Sequence, residues 1–308
     1  NPSWFTKNIK MEEYNNSKCC KIVATYFGVR RFYPQNEDHT IEMLKDFVEH
    51  EKTLDPGVPN LDVIFINHNC GSIKGNKFLE SLDGEEIYSG KIHVFHRPWD
   101  NGKGVSLGSF DYGFKLLKNQ YDYWFFQEDD YKVVHPEYYL NGVNMLEENI
   151  NTAFIGYDMY FRKDNGKKLT PFFNLLKIIF TLPLFIFGYW KYIIPFLKTI
   201  KKTKLLVKKG KIPFCGGMMG ITKTNFLNEI IQKDGKLPYP LIEVAKDQTK
   251  YKEFNNIEKI RYNLKHTLFC VLGEIEFTRI YNDLGYNLKS YPNTKELIFS
   301  YKNNKFKK

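Results

Sequence analysis

Residues 121–130 read YDYWFFQEDD, and this stretch decides the fold class. Its first half is dominated by aromatic side chains over the length of a short strand, which is typical of a strand buried on both faces of a sheet. Three acids, Glu128, Asp129 and Asp130, follow at the carboxyl end of that strand. Ligands bind at this end of the strands in open α/β sheets. Because three adjacent carboxylates repel one another, the stretch predicts a site for a cation or for sugar hydroxyls rather than a solvated acidic turn.

Apolar runs of strand length alternate with helical patterns before this stretch. Helical spacing of apolar residues predicts one helix over 40–52 and another that presents Leu107, Phe110, Phe114 and Leu117 on one face. The segment 71–90 is polar and contains glycine, so we expect loops there. The earlier strands are predicted at 20–27, 61–67 and 91–96. Strands that alternate with helices in this way predict an α/β fold with a mostly parallel, Rossmann-like sheet flanked by helices.

The second half of the chain continues with weaker signals. A helix start is predicted at 135–137, a strand at 152–160 and a helix at 272–284, and the lysine- and asparagine-rich tail after Pro292 is expected to fray. Composition divides the chain into one half at 1–160, an apolar and basic helical insertion at 161–212, and a second half at 213–308. The two halves are predicted to form a single domain, because 308 residues allow one large α/β domain with an insertion.

The net charge of +10 does not indicate a nucleic-acid partner. Twelve lysines and no acid lie between Asn165 and Asn228, and without those lysines the net charge becomes −2. The basicity therefore belongs to the insertion and not to the predicted sheet. Five cysteines without a C-x-x-C spacing favour a reducing compartment, and no secretory signal is evident. A cytoplasmic location is expected.

The three acids suit a divalent cation. Carboxylate oxygens are the hard ligands that Mg²⁺ and Mn²⁺ prefer, and these ions commonly bridge one or two carboxylates and substrate phosphates. A diphosphate leaving group needs such an ion because negative charge builds up on it as its bond breaks. We predict Asp130 as the metal ligand, with Glu128 and Asp129 facing ribose hydroxyls or metal-bound waters.

Several motifs, taken in order, resemble the GT-A superfamily of nucleotide-sugar glycosyltransferases, and family 2-like inverting members in particular. The resemblance covers residues 20–160 and 213–287, about two thirds of the chain. It is carried by the strand that ends at Gly28 with Arg30 and Arg31 nearby, by Asn101-Gly102-x-Gly104-x-Ser106-x-Gly108-Ser109-x-Asp111, by the Glu128-Asp129-Asp130 tip, by Gly216-Gly217, and by Gly273-Glu274-x-Glu276-Phe277-x-Arg279 ending at Gly285-Tyr286.

The resemblance implies a role for each matching position in the nucleotide-binding half. The acidic tip corresponds to the DxD-type motif that holds metal and nucleotide in that superfamily. The residues beside the base and ribose would be Tyr26, Gly28 and Arg30. Lys103 and Asp111 would lie near the nucleotide. Gly216 and Gly217 would lie on the acceptor side.

Glu274 matches the position of the catalytic acid, with Glu276 as the second choice. In inverting members that carboxylate takes the proton of the acceptor hydroxyl during in-line attack on the anomeric carbon. This sequence departs from the pattern in two ways: an Asp is usual where Glu274 stands, and no histidine follows as a further metal ligand. The alternative is that both acids merely complement the macrodipole at the start of a helix.

The insertion combines apolar aromatics with a lysine cluster over 171–211. Its longest uncharged run, 178–190, has thirteen residues, whereas a spanning helix needs about 20. Such a composition suits an element that lies on an anionic membrane surface, and a helical pair that packs on the sheet or forms a dimer interface is the alternative.

The sequence thus predicts a metal-dependent glycosyltransferase that moves a sugar from a nucleotide-sugar donor to a hydroxyl of a glycan or lipid-linked acceptor. Two alternatives stay open. One is a sugar nucleotidyltransferase, which would require a Gly-rich, Lys/Arg-bearing loop directly after the first strand. The other is a non-catalytic, membrane-associated scaffold of the same fold.

Overall fold

The computed structural model describes residues 17–28, 37–100, 104–157, 159–160, 214–215, 218–239, 255–256, 258, 273–292 and 297–301. Within these residues the strands are β1 Cys19–Thr25, β2 Leu61–His68, β3 Ile92–Arg97, β4 Tyr123–Glu128, β5 Tyr131–Val133, β6 Thr152–Gly156, β7 Met159–Tyr160, β8 Phe214–Cys215, β9 Gly220–Lys223, β10 Asn287–Ser290 and β11 Ile298–Ser300. The helices are α1 Glu37–Thr53, α2 Ile73–Glu80, α3 Val105–Leu117, α4 Tyr138–Glu147, α5 Thr224–Asp234 and α6, which spans 273–283.

In the part of the chain that the structure describes, seven strands form the main sheet, in the order β10-β6-β9-β4-β1-β2-β3. β1 lies parallel to both β2 and β4, and β3 lies parallel to β2. β9 runs antiparallel between β4 and β6, whereas β10 is parallel to β6. Strands from both sides of the insertion therefore belong to one sheet. The predicted fold class, an α/β fold with a mostly parallel sheet flanked by helices, is confirmed.

Helices cover both faces of this sheet because its central strands are apolar on both sides. On one face, α3, α5 and α6 pack against a cluster that includes Ile22, Phe126 and Phe154. On the other face, α1 and α2 pack over β1 and β2, and α4 packs over β4 and β6. The predicted double burial of β4 is confirmed, since the residues from Tyr123 to Gln127 are all buried.

Two segments differ from the sequence-based predictions. Residues 73–80, expected to be loop, form helix α2, whose first turn is capped by the Ser72 side chain accepting the Gly75 N–H. Residues 298–301, expected to fray, are ordered because β11 pairs antiparallel with β5. Among the residues that the structure describes, no helix is long and apolar enough to cross a membrane. The insertion at 161–212 lies outside them.

Candidate functional site

The carboxyl ends of β1 and β4 are neighbours at one edge of the main sheet. The chain winds from β1 to β2 and β3 in one direction, and β4 then pairs on the other side of β1. This is a topological switch point, where the loops after neighbouring strands diverge and leave a crevice in which ligands of open α/β sheets bind. Residues 26–28 follow β1 and the acids 128–130 end β4, so both segments lie at the switch point.

The acidic tip is fastened to the end of β1. Asp129 and Asp130 are 2% and 3% exposed, while Glu128 is half-buried. The Tyr26 N–H donates to Asp129 Oδ2 at 3.3 Å, and the Asp129 N–H donates to the Ala24 carbonyl at 3.3 Å. Asp129 is therefore tied to the end of β1 through its carboxylate and its backbone, and two of the three predicted acids are buried at the end of β4.

Helix α3 contacts the tip from one face of the sheet. The Ser106 hydroxyl, in the first turn of α3, donates to Glu128 Oε1 at 2.6 Å. The amino end of a helix carries partial positive charge, which favours a carboxylate beside it. Gly104, just before α3, has a φ of 73°, and the ring of Tyr239 occupies the space that a Cβ there would need. The start of α3 thus depends on glycine and links the tip to the segment at 236–239.

The C-terminal strand supports the tip from the other side. β5 begins directly after Asp130, and β11 pairs with it. The Tyr301 N–H donates to the Asp130 carbonyl at 3.0 Å, and the Tyr301 hydroxyl bonds to Asp46 on α1. Lys132 of β5 also pairs with Asp46 at 2.6 Å. Three segments that are distant in sequence therefore fix the backbone at the predicted metal ligand.

Three aromatic rings gather at the carboxyl edge of the sheet, one from the end of each of the first three strands. Trp99 lies 6.1 Å from Tyr26, centroid to centroid, with an interplanar angle of 10°, and 4.8 Å from His68. Tyr26 and His68 are 6.1 Å apart. Gly28 has a steric role here, because the Tyr26 ring fills the space of its missing Cβ. We call Tyr26, His68 and Trp99 the aromatic cluster.

A buried polar network holds the loop that carries Trp99. In the β2–β3 register His68 lies opposite Arg97. Asp100 accepts hydrogen bonds from His68 Nε2 at 2.8 Å and from the Arg97 guanidinium. Burial lowers the pKa of His68 to about 4, and the neighbouring Arg97 adds to this effect. The imidazole is therefore neutral at pH 7 and acts as a hydrogen-bond donor to Asp100.

Asp111 is buried on α3 and contacts the segment at 236–239. Its Oδ1 accepts the Leu237 N–H at 2.7 Å, and its Oδ2 accepts from Lys115 Nζ at 2.9 Å and from the Tyr239 hydroxyl at 3.4 Å. Burial raises the pKa of Tyr239 to about 12, and the neighbouring Asp111 carboxylate adds to this effect. Asp111 thus anchors a segment at the edge of the crevice, and its predicted place near the nucleotide stays a prediction.

Helix α6 packs on β4 and leads toward the amino edge of the sheet. Phe277 packs against Phe126, two residues before Glu128, at a centroid distance of 6.2 Å. The helix then leads to β10. Asn287, the first residue of β10, pairs with Thr152, the first residue of β6, at the amino edge of the sheet. Glu274, one turn before Phe277, therefore lies on the side of the carboxyl edge. Glu276 is engaged by Arg279 at 2.6 Å on the helix surface.

The remaining predicted site residues are Arg30, Lys103, Gly216 and Gly217, and all four lie outside the residues that the structure describes. Within the described ranges, no group of three or more His, Cys, Asp and Glu side chains is arranged to hold a metal ion. The carboxylates of the tip still fit a divalent ion that takes one or two protein oxygens and completes its shell with phosphate and water, as Mg²⁺ typically does.

Sequence reasoning did not identify Ser106, His68, Trp99, Asp100, Tyr239 or Tyr301 as neighbours of the site. For Trp99 and Asp100 a signal was present. The run HRPWD follows β3 directly, and therefore leaves the sheet at the same edge as the acids. The other contacts depend on strand register or on chain segments far apart in sequence, and local patterns do not contain them.

Comparison with known proteins adds likenesses of fold only. Neither a scan against protein-family models nor a search of curated proteins gives a match. The chain is similar to the Mn/GDP form of core-mannan synthase A from Aspergillus fumigatus, with 12% identity, 92% of this chain and 75% of that chain covered, and a TM-score of 0.37. It is similar to apo mouse xyloside xylosyltransferase 1, with 8% identity, 89% and 85% covered, and a TM-score of 0.40.

A third solved structure is a CMP:2-keto-3-deoxy-manno-octonic acid synthetase complexed with CTP, with 8% identity, 89% of each chain covered and a TM-score of 0.38. Since these TM-scores are below 0.5, nothing about the activity of this chain follows from them. The chain's own sheet order, with acids at the switch point, agrees with the GT-A-like fold that its sequence predicts.

Proposed function

We propose that this chain is a glycosyltransferase that uses Mn²⁺ or Mg²⁺ to transfer a sugar from a nucleotide-sugar donor to a hydroxyl of a glycan or lipid-linked acceptor. The observation that carries this proposal is the position of Glu128, Asp129 and Asp130 at the topological switch point, with the last two buried. A crevice that holds adjacent carboxylates suits a ligand that brings its own metal-bound diphosphate.

The metal would be held by Asp130, with Asp129 beside it. Bound there, it would neutralise the charge that develops on the departing diphosphate. Asp129 is oriented by the Tyr26 N–H, and Glu128 by the Ser106 hydroxyl. In this proposal Glu128 faces the ribose hydroxyls or a metal-bound water. Arg30 and Lys103 would bind the nucleotide, and Gly216 and Gly217 would let the acceptor approach the backbone.

The chemical step would be a single displacement with inversion. The acceptor oxygen forms a bond to the anomeric carbon while the bond from that carbon to the diphosphate oxygen breaks, and the hydroxyl proton passes to a carboxylate. Support for Glu274 as the proposed base comes from Phe277, three residues later on α6, which packs against Phe126 two residues before Glu128. Glu276 is the less favoured candidate because Arg279 engages its carboxylate.

The experiment that tests this function is a donor panel. Purified protein is incubated with nucleotide sugars and Mn²⁺, with and without glycan or lipid-linked acceptors, and the released products are identified. Release of a nucleoside diphosphate, lost in Asp130→Asn, supports the proposal. Release of pyrophosphate from a nucleoside triphosphate would indicate a nucleotidyltransferase. The absence of turnover together with the absence of any nucleotide-dependent thermal shift would indicate a non-catalytic scaffold.

The role of Glu274 is tested separately by Glu274→Ala. A base acts mainly in the transition state, so kcat should fall by about 10²-fold or more while donor binding is unchanged. Glu276→Ala is the matched control on the same helix. Normal turnover in Glu274→Ala would place the base elsewhere.

The insertion provides a proposal about location. Residues 171–211 combine aromatic side chains with a lysine cluster, and we propose that they dock the enzyme on the cytoplasmic face of a membrane. Flotation with liposomes that contain anionic lipid should recover the full chain, and deletion of 171–211 should abolish that recovery. Equal recovery from neutral and anionic liposomes, unchanged by the deletion, would contradict it.

A further inference from the structure

We propose that Trp99 is the stacking surface for the base of the donor nucleotide. Trp99 is 37% exposed, whereas the rings around it are less so: Tyr26 is half-buried and His68 is buried. Among the described residues, Tyr88 is the other large aromatic side chain that is exposed, at 54%. The inference rests on the proposed function, and it names which part of the ligand lies where.

Tyr26 connects the aromatic cluster to the acids. Its ring stacks beside Trp99, and its backbone N–H donates to Asp129 at 3.3 Å. A ligand bound across this residue would meet carboxylates at one end and an aromatic surface at the other. A nucleoside diphosphate has matching chemistry: its diphosphate binds a divalent ion held by carboxylates, and its base is a planar ring that stacks on aromatic side chains.

The sheet order sets the direction of the ligand. The acids end β4, while the rings of the aromatic cluster come from the ends of β1, β2 and β3. Along the carboxyl edge, the order is therefore β4, β1, β2 and β3. A nucleotide with its diphosphate at β4 extends past Tyr26 toward Trp99.

The surroundings of Trp99 make it a fixed surface. Pro98 and Trp99 lie between Arg97 and Asp100, and these two residues are joined by an ion pair that also engages His68. Because His68 and Arg97 are buried, the loop is tied to the sheet before any ligand binds. A ring that is already held in place loses little conformational freedom when a ligand binds. Stacking on such a ring therefore contributes more to affinity than stacking on a mobile ring.

Calorimetric titration in the presence of Mn²⁺ tests the inference, with pyrophosphate and a panel of nucleoside diphosphates as the ligands. Wild-type protein should bind at least one nucleoside diphosphate more tightly than pyrophosphate. Trp99→Ala should weaken that nucleotide by about tenfold to a hundredfold, as expected for loss of one base–aromatic stack, and should leave pyrophosphate binding unchanged.

Two variants serve as controls. Trp99→Phe keeps a ring and should retain most of the affinity. Tyr88→Ala removes the other exposed aromatic side chain. The Tyr88 N–H donates to the Glu51 carbonyl, and the next residue, Ser89, bonds to Leu61 at the start of β2. Tyr88 therefore lies away from the carboxyl edge, and nucleotide binding should be unchanged. Their melting temperatures without ligand show whether each variant is folded.

The remaining outcomes separate the inference from the function. If Trp99→Ala binds the nucleoside diphosphate as tightly as wild type while pyrophosphate also binds, the base lies elsewhere and the proposed function stands. If Trp99→Ala loses pyrophosphate as well, Trp99 supports the acids and the inference is wrong. If wild type binds neither ligand with Mn²⁺, both the function and the inference are wrong.

Discussion

Two sets of buried charge lie on the same sheet and are built in opposite ways. On β1, Lys21 is fully buried, and its Nζ lies 2.7 and 2.8 Å from the two carboxylate oxygens of Glu51 on α1. The rings of Tyr138 and Phe47 lie 4.6 and 5.6 Å from the same ammonium. At the end of neighbouring β4, Asp129 and Asp130 are buried side by side, with Glu128 before them.

The two sets differ in the signs of the charges that they bring together. In the Lys21–Glu51 pair, opposite charges compensate each other. Removing either partner therefore leaves the other charge buried in the core without a counter-charge. At the acidic tip, three acids are adjacent in sequence, and we propose that they serve a ligand that carries a divalent cation. The first arrangement pairs opposite charges within the chain, whereas the second is the proposed site of a metal-bound ligand.

The largest expected effect is on the fold, through Lys21→Met. Loss of the ammonium leaves Glu51 buried without its partner, and the free energy of unfolding should fall by about 3–5 kcal/mol in urea titrations. The double variant Lys21→Met/Glu51→Leu removes both charges and should recover most of that loss. A single variant as stable as wild type would contradict the structural role of the pair.

Lowering the pH is expected to have a smaller effect on the free energy of unfolding, through His68 of the aromatic cluster. The pKa of His68 is about 4 in the folded protein, below the ordinary value of 6.5. Between these values the unfolded chain binds the proton more readily, so stability is fully present above pH 6.5 and falls as the pH drops toward 4. The loss is at most about 3 kcal/mol.

His68→Gln removes this titration. Urea titrations at several pH values between 4 and 7.5 should show a shallower dependence for the variant than for wild type. Parallel curves for the two proteins would mean that His68 is not held neutral by its surroundings.

Ser106→Ala probes how firmly the acidic tip is held. The Ser106 hydroxyl donates to a half-buried carboxylate, and its loss should lower the free energy of unfolding by about 1 kcal/mol. Ser81→Ala is the matched control, because that hydroxyl donates to the Phe78 carbonyl at an exposed position. A loss no larger in Ser106→Ala than in Ser81→Ala would show that the contact with Glu128 contributes little.

The smallest effect on stability is expected from Asp130→Asn without ligand. The substitution removes one of three adjacent like charges, so the free energy of unfolding should stay within about 1 kcal/mol of wild type or rise. Thermal and urea unfolding of the ligand-free proteins measure it. A loss comparable to that of Lys21→Met would make Asp130 structural and erase the contrast between the two clusters.

The sequence predicts the first four strands of the sheet because each contains a stretch of strand length in which apolar residues dominate. It does not predict β9, β10 or β11, which have three or four residues and no clear alternation, as in GITK and NLKS. The sequence does not reveal helix α2, because this helix has eight residues and carries Gly75, whose missing Cβ leaves room for the Phe27 ring. Short elements are fixed here by tertiary contacts rather than by local propensity.

The candidate site divides in the same way. The acidic tip is predictable because three acids directly follow a buried strand. The aromatic cluster is not, because it forms only when the β2–β3 register brings His68 beside Arg97 and when the loop after β3 turns Trp99 toward Tyr26. Tyr301 contacts Asp130 from the far end of the chain, and no local pattern contains that contact.

A titration of one nucleoside diphosphate into wild-type protein and Asp130→Asn, each with Mn²⁺ and with a chelator, tests whether the acidic tip holds a cation. If the buried acids hold a cation against the diphosphate, Mn²⁺ should increase the affinity of wild type by at least about tenfold, and this gain should vanish in Asp130→Asn. Binding that is indifferent to Mn²⁺ in wild type, or an equal gain in the variant, would contradict the account.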